Sequence, residues 1–459
     1  MKRREFLQAG IGAVVAGSLL RVGDAAWADA GVSLPWDLYL NTGDHRILSD
    51  HYEAARRWVD FVHSQNPDLI WTNAVGMGWG DWLSGGPATS AEIGSTAFFA
   101  HNADLVARMA AVLGHEADAV RYRVLFQSIR AAFGRCFVTP EGRIKPGGGA
   151  RDVTDLVRAK VRGTDLTLIV GNDTLGGDPA LGVTKHLRLT FRKGNQEETR
   201  DYLEGVAVSL TGPAIQVLEA FYGGDSTDVQ GSYALALHFG LLDEPLHSRA
   251  VERLAQVIQR GGGHPTTGFW SSVELLLTLS ENDRHDVAAR MLALTTAPSW
   301  GHMVQGDGTT FWGSFDADVR QISLNHWTHS AIGEWLWRHI AGIAPDPAQP
   351  GYRAVVIRPR PCAEVSACES SYESQCGLLS VAWQQSGSQF TLAVTLPANT
   401  SATVYIPAAE AAQITEGGRL ASASPGIRLL RQKGGDCIYR VEAGTYRFRV
   451  LASTQKDQL

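Results

Sequence analysis

The chain has no excess of basic residues. Its 41 Lys and Arg stand against 47 Asp and Glu, a net charge of −6. A phosphate-binding face needs the opposite balance, which argues against nucleic acid as the main partner. Beyond the N-terminus no stretch is long and apolar enough to cross a bilayer. No Cys/His spacing resembles a zinc site. Cysteines are few: Cys136, Cys362, Cys368, Cys376 and Cys437. The odd count leaves at least one outside any disulfide. An oxidising compartment would permit a bridge among the last four, and unpaired core cysteines are an equal alternative.

What the chain does have is length, apolar content and tryptophan. Its 459 residues are 44% hydrophobic and 19% charged, enough for a large core and about three domains. Thirteen Trp suggest packing, or flat platforms for ligands such as sugar rings. The N-terminus reads "MKRREFLQAGIGAVVAGSLL". Arg3 and Arg4 precede Phe6, Leu7 and a weakly apolar run too short to span a membrane. This pattern predicts a twin-arginine export signal over residues 1–30, with a small-x-small cleavage site at Ala28–Ala30. The mature protein is then expected in the periplasm or outside the cell.

The body of the chain is mainly α with β modules. "HYEAARRWVDFVHSQ" sets Tyr52, Ala55, Trp58 and Phe61–Val62 on one stripe. "TAFFAHNADLVARMAAVLG" and "EADAVRYRVLFQSIRAAFG" read as helices ending at Gly114 and Gly134. Helical periodicity resumes after residue 210 with "SYALALHFGLL", "HSRAVERLAQVIQRGG", "SSVELLLTLSEN" and "SLNHWTHSAIGEWLWRHIAGI". Residues 31–146 and 211–343 are therefore expected to form one helical domain of stacked hairpins, with eight or nine helices by rough count. Between them, 147–210 alternate apolar and polar residues around Gly/Asn/Asp turns, as an inserted β-module. "IQVLEAFYGGD", Ile215–Asp225, reads as another strand of such a module, standing after it. "APDPAQPGY" is a Pro-rich linker at Ala344–Tyr352. Residues 350–452 then read as an antiparallel β-sandwich.

Several motifs, taken together and in order, resemble the bacterial α-L-rhamnosidases of glycoside hydrolase family 78. They are "PWDLYLNTGD", "GDWL", "YALALHFGLL", "GHPTTGFW", "GTTFW", "SLNHW" and "GEWLWRHIAGIAPDPAQPGYRAVVIRPRP". The resemblance covers about Trp27–Arg143 and Gln230–Val450. It implies an (α/α)6 barrel of the six-hairpin glycosidase type, here incomplete at its N-terminus, followed by the β-sandwich. It further implies hydrolysis of terminal α-L-rhamnosides with inversion, rhamnose-containing glycosides or polysaccharides as substrates, and no cofactor or metal.

An inverting glycosidase needs two carboxyl groups roughly 6.5–9.5 Å apart, one protonating the leaving oxygen and one activating water. By the resemblance the acid lies in a segment upstream of this match, and the base follows Trp in a Thr-Thr-x-Trp-Glu motif. Here that position is Gly313. Asp316 and Asp318, just downstream, are weak substitutes; a solvated turn is their plainer reading, as it is for Asp307. Glu274 lies in an apolar helix, where burial would raise its pKa. On the binding side Trp27, Trp82 and Trp312 match family aromatic positions, His326 matches a pocket histidine, and Asp81 matches a position that shapes the sugar pocket. Aromatic faces suit the apolar C–H face and methyl of rhamnose, and a histidine suits its hydroxyls. Core packing is the alternative for each Trp, and a helix cap or turn for Asp81. Cleavage after Ala30 would remove Trp27 and Asp29. Two readings follow: a rhamnosidase, or a non-catalytic carbohydrate-binding remnant of one. An opened barrel would also expose apolar helix faces, favouring a homo-oligomer or a covering partner.

Overall fold

The computed structural model describes residues 25–73, 80–86, 88–144, 150–177, 185–212, 214–223, 228–306, 308–315 and 323–450. Most of the expected export signal, together with Asp307, Asp316 and Asp318, lies outside the described residues. Four long helices come first: α1 (Ala30–Thr42), α2 (His45–Gln65), α3 (Ala91–Leu113) and α4 (Glu116–Phe137). The Asp44 carboxylate accepts from the Arg46 amide to open α2, and the Ser90 hydroxyl accepts from the Ile93 amide to open α3. α2 buries Tyr52, Ala55, Val59 and Val62 but leaves Trp58 half-buried and Phe61 exposed. α4 does not stop at Gly134. It runs on to Phe137, whose buried ring meets Phe133 edge to face at 5.1 Å.

The β-module begins at β1 (Ala150–Asp152), followed by α5 (Thr154–Arg158), β2 (Val161–Arg162), β3 (Asp165–Ile169), β4 (His186–Lys193), β5 (Gln196–Leu203), β6 (Ala207–Leu210) and β7 (Ile215–Gly223). Its two sheets, β1-β7-β4-β5 and β2-β3-β6, enclose a core of their own that includes Leu166, Leu189, Phe191, Val208 and Tyr222. The expected boundary at residue 210 falls short. Strand 215–223 is not displaced from the module but sits inside its larger sheet, between β1 and β4. Ala150 pairs with Gly223, so the chain enters and leaves the module on neighbouring strands.

The helical domain resumes with α6 (Gln230–His238), α7 (Leu246–Arg260), α8 (Ser272–Glu281), α9 (His285–Ala293), α10 (Trp300–Gln305), α11 (Trp327–Ser330) and α12 (Ile332–Trp335), which runs into a π-turn at Leu336–Ala341. The helices outnumber the expected eight or nine because α10, α11 and α12 are too short to print a period. Among the described residues α1, α3, α6, α8 and α11–α12 form an inner row, each packed on the next. α3 and α6 are buried nearly all round, as inner helices must be. α2, α4, α7 and α9 back them from outside. Asp37 on α1 faces Glu334 and Arg338 at the other end of the row.

The C-terminal sheet has nine strands: β8 (Ile343–Pro345), β9 (Ala354–Ile357), β10 (Ala367–Ser374), β11 (Gly377–Ser386), β12 (Gln389–Pro407), β13 (Ile414–Glu416), β14 (Arg419–Leu420), β15 (Ile427–Lys433) and β16 (Asp436–Val450). β12 and β16 pair along their length with an irregularity between Leu396 and Ser401. All pairings are antiparallel except β9 with β12. The Pro-rich stretch is not a free linker. It contributes β8, buries Tyr352, and donates the Gly351 amide to the Leu40 carbonyl at the end of α1. Gly351 is required there: its φ is +76°, and a Cβ would lie 2.8 Å from the Thr42 carbonyl oxygen. The Trp383 indole donates to the Ile340 carbonyl at 2.7 Å, tying sheet to helices. All five cysteines are unpaired.

Candidate functional site

Asp81 is buried in a turn that is sewn to the start of α8. One carboxylate oxygen accepts from the Trp270 amide at 2.9 Å; the other accepts from the hydroxyls of Ser271, at 2.5 Å, and Thr89, at 3.1 Å. Burial pushes its pKa up. The Phe269 amide donates to the Trp82 carbonyl, and a Cβ on Gly268 would lie 2.3 Å from the Asp81 carbonyl oxygen. Asp81 is thus a brace beneath the site. Its neighbour Trp82 is 40% exposed beside it.

The seam delivers Phe269 into an aromatic cluster. Its ring lies 6.5 Å from Trp27 and 4.1 Å from His326, and His326 stacks on Trp327 at 5.9 Å. Trp27 is 36% and Trp327 62% exposed, so the cluster opens to solvent. His326 caps α11, with Nδ1 accepting from the Thr328 amide. A neutral imidazole bonded that way carries its proton on Nε2, which leaves a donor for a ligand hydroxyl. Burial holds its pKa down, favouring that neutral form. Phe269 and Trp327 were missed in the sequence although both stand inside quoted motifs, "GHPTTGFW" and "SLNHW". Adjacency to His326 was the available signal.

Trp312 does not join this opening. It is 6% exposed and belongs to the main core; its carbonyl accepts from His329 Nδ1 at 2.8 Å. The pocket role expected for it is corrected to support: it holds His329, three residues after His326. Gly313 follows in a bend. Its amide donates to Ser323, and the His326 amide donates to Phe311, so the two arms of the loop face each other. A Cβ on Gly313 would meet nothing closer than the Ser323 carbonyl oxygen at 3.4 Å, with His326 at 3.7 Å.

Two carboxyl groups near this region have their pKa raised toward neutral. Asp29 is buried two residues after Trp27. It accepts from Trp58 Nε1 at 2.7 Å, Asn102 Nδ2 at 2.5 Å and the Ala26 amide at 2.8 Å. Burial outweighs these donors and lifts it to about 6. Glu274, in the first turn of α8, is raised to about 7 by burial, and the charge of His238 opposes the rise. Its Oε2 atom has no hydrogen-bond partner. Among the described residues no group of His, Cys, Asp and Glu could hold a metal ion, and no helix is long and apolar enough to cross a membrane.

A family model described as the bacterial alpha-L-rhamnosidase 6 hairpin glycosidase domain matches residues 14–161 and 214–340. That of the bacterial alpha-L-rhamnosidase C-terminal domain matches 342–421. The gap at 162–213 holds β3–β6, while β1 and β7 fall inside the match. An alpha-L-rhamnosidase of Streptomyces avermitilis is 30% identical over 93% of this chain and 33% of its own length. One from Formosa agariphila is 25% identical over 94% of this chain and 39% of its own. The chain therefore spans only about a third of the curated relatives it matches. The crystal structure of the Streptomyces avermitilis alpha-L-rhamnosidase complexed with L-rhamnose superposes with a TM-score of 0.73 at 28% identity, covering 98% of this chain and 36% of that one. The Dictyoglomus alpha-L-rhamnosidase shares the fold, with a TM-score of 0.69 at 21% identity, covering 94% of this chain and 40% of that one. The chain belongs to the bacterial α-L-rhamnosidase family of six-hairpin glycosidases.

Proposed function

We propose that the chain binds terminal α-L-rhamnosides at the Trp27–Phe269–His326–Trp327 cluster and hydrolyses them with inversion. The observation that carries this is the open aromatic mouth with the His326 imidazole among its rings. The aromatic faces take the apolar side of the sugar and the imidazole donates to a hydroxyl. Trp82 extends the mouth, and Asp81 and Trp312 hold it from behind. A structure to which this chain is similar holds L-rhamnose.

Inversion needs a protonated acid and an ionised base. Glu274, raised to about 7, is the carboxyl suited to give a proton at neutral pH. Asp316 or Asp318 takes the water-activating role that Gly313 lacks. The test is turnover of p-nitrophenyl α-L-rhamnoside, with NMR reading the anomer first released. Turnover that yields the inverted sugar and is lost in the Asp316→Asn/Asp318→Asn double variant supports the proposal. Rhamnose binding without turnover overturns the catalytic part.

The twin-arginine route carries the chain to the periplasm or beyond; Arg3→Lys/Arg4→Lys should keep it in the cytoplasm. The side of the helical row between α1 and α12, where Leu34 and Leu336 are exposed, is covered by a second copy of the chain. Light scattering that finds only monomer at micromolar concentration overturns this.

A further inference from the structure

The C-terminal sheet carries a groove that the rhamnoside site does not use. It has a volume of about 690 Å³ and crosses β10, β11, β12 and β16, with the β13–β14 hairpin as one wall. Strand alternation decides what faces it. Trp383, Leu392 and Phe448 turn inward and are buried. Their neighbours turn outward and meet in register across the strands. Glu369 pairs with Ala382, Ala382 with Ala393, and Ala393 with Arg447. On the next rung Gln384 pairs with Thr391, and Thr391 with Arg449. The floor is therefore made of Ala and Thr, low enough for a chain to lie close to the backbone.

Arg447 and Arg449 stand along one side, two residues apart on β16, so their Cα atoms are about 6.8 Å apart. Both are exposed. Among the described residues neither enters an ion pair. Among the described lining residues the carboxylate is Glu369, three strands away from them; Glu416, on the hairpin wall, accepts from the Arg447 backbone amide. No exposed ring faces the groove, so stacking on a neutral sugar is not its means of recognition. Two adjacent guanidinium groups fit oxyanions instead, each able to bind one through parallel N–H donors. The whole protein is acidic, at −6, so a local cationic rail is not the spill-over of a basic surface.

We propose that this groove is a second carbohydrate-binding site that takes an anionic stretch of polysaccharide, with Arg447 and Arg449 pairing to its carboxylate or sulfate groups. It rests on the reading of the chain as a glycan-directed protein, but binding is read without hydrolysis, so the two stand or fall separately. The full chain is run in affinity electrophoresis through polygalacturonate, dextran sulfate, unsubstituted dextran and polyglutamate. Retardation by polygalacturonate, dextran sulfate or both is expected, and which one identifies carboxylate or sulfate as the group recognised. The Arg447→Ala/Arg449→Ala variant should bind about tenfold more weakly. Arg428→Ala/Arg431→Ala, which removes the same charge from β15, should bind as the parent does. Failure of both polyanions to retard the chain overturns the proposal. So does equal weakening in the two variants, or equal retardation by dextran or polyglutamate. Parent-like turnover of p-nitrophenyl α-L-rhamnoside in the Arg447/Arg449 variant shows that the rhamnoside site is intact.

Discussion

The two halves of the proposed rhamnoside site are built differently. One half, from Trp27 through the seam of Asp81 with Trp270 and Ser271, is anchored by buried carboxylates that bond to several helices at once. The other half, the loop from Phe311 to His326, is held by the paired amides of Gly313 and His326 and by Thr310 bonding to Leu324. It carries Gly313 where the motif resemblance implies a carboxylate. The braced half fixes Trp27 and Phe269, while the loop carries Gly313 and His326.

The sharpest way to break that contrast is to cut a brace. Asp29→Ala strands the indole N–H of Trp58, the amide of Asn102 and the Ala26 N–H, and should cost about 4 kcal/mol by urea unfolding at pH 5. A loss below ~1 kcal/mol would mean that Asp29 braces nothing. Rebuilding the other half comes next. Gly313→Glu can place its Cβ without a clash, and should raise turnover in the Asp316→Asn/Asp318→Asn background about a hundredfold, or ~2.7 kcal/mol. No rise would show that the loop has moved as well as lost its acid.

The pH dependence of stability separates the halves a third way. Asp29 is raised from 3.8 to about 6 in the folded state, so the folded protein holds its proton more tightly than the unfolded one. Its contribution is complete below about pH 4 and is lost as pH rises through 6, a fall of about 2–3 kcal/mol. Asp29→Asn should flatten that slope in unfolding curves taken at successive pH values, whereas Gly313→Glu should leave it in place. The smallest effect belongs to the rim. Trp327→Ala should weaken rhamnose binding by about 1–2 kcal/mol in calorimetry and leave the unfolding midpoint alone.

Long helices were legible because α2, α3 and α4 repeat their apolar residues over many turns. α10, α11 and α12 were not, since four to six residues cannot show a period. Strand 215–223 was legible as a strand but not in its place, because its partners β1 and β4 lie far off in the chain. For the site, motifs picked out Trp27, Asp81, Trp82, Trp312 and His326. They could not tell which faced solvent. Trp82 and Trp312 look alike in sequence, yet one is 40% and the other 6% exposed, and that difference is set by packing from distant helices. Asp29 was read as part of a removable leader because its bonds to Trp58 and Asn102 leave no mark in the letters around it.

That last residue bears on how the chain could be processed. A signal peptidase needs an extended, accessible peptide, yet Ala28 and Asp29 lie in a turn that runs into the first turn of α1 at Ala30. In the folded body this stretch is held in turn and helix geometry, with Asp29 buried, rather than extended. A cut there before folding would put a new ammonium group at Gly31, where the positive end of the helix dipole repels it. Cleavage after Ala30 would therefore cost the folded body its Asp29 bonds to Trp58 and Asn102, and N-terminal sequencing of the mature chain would show whether it occurs.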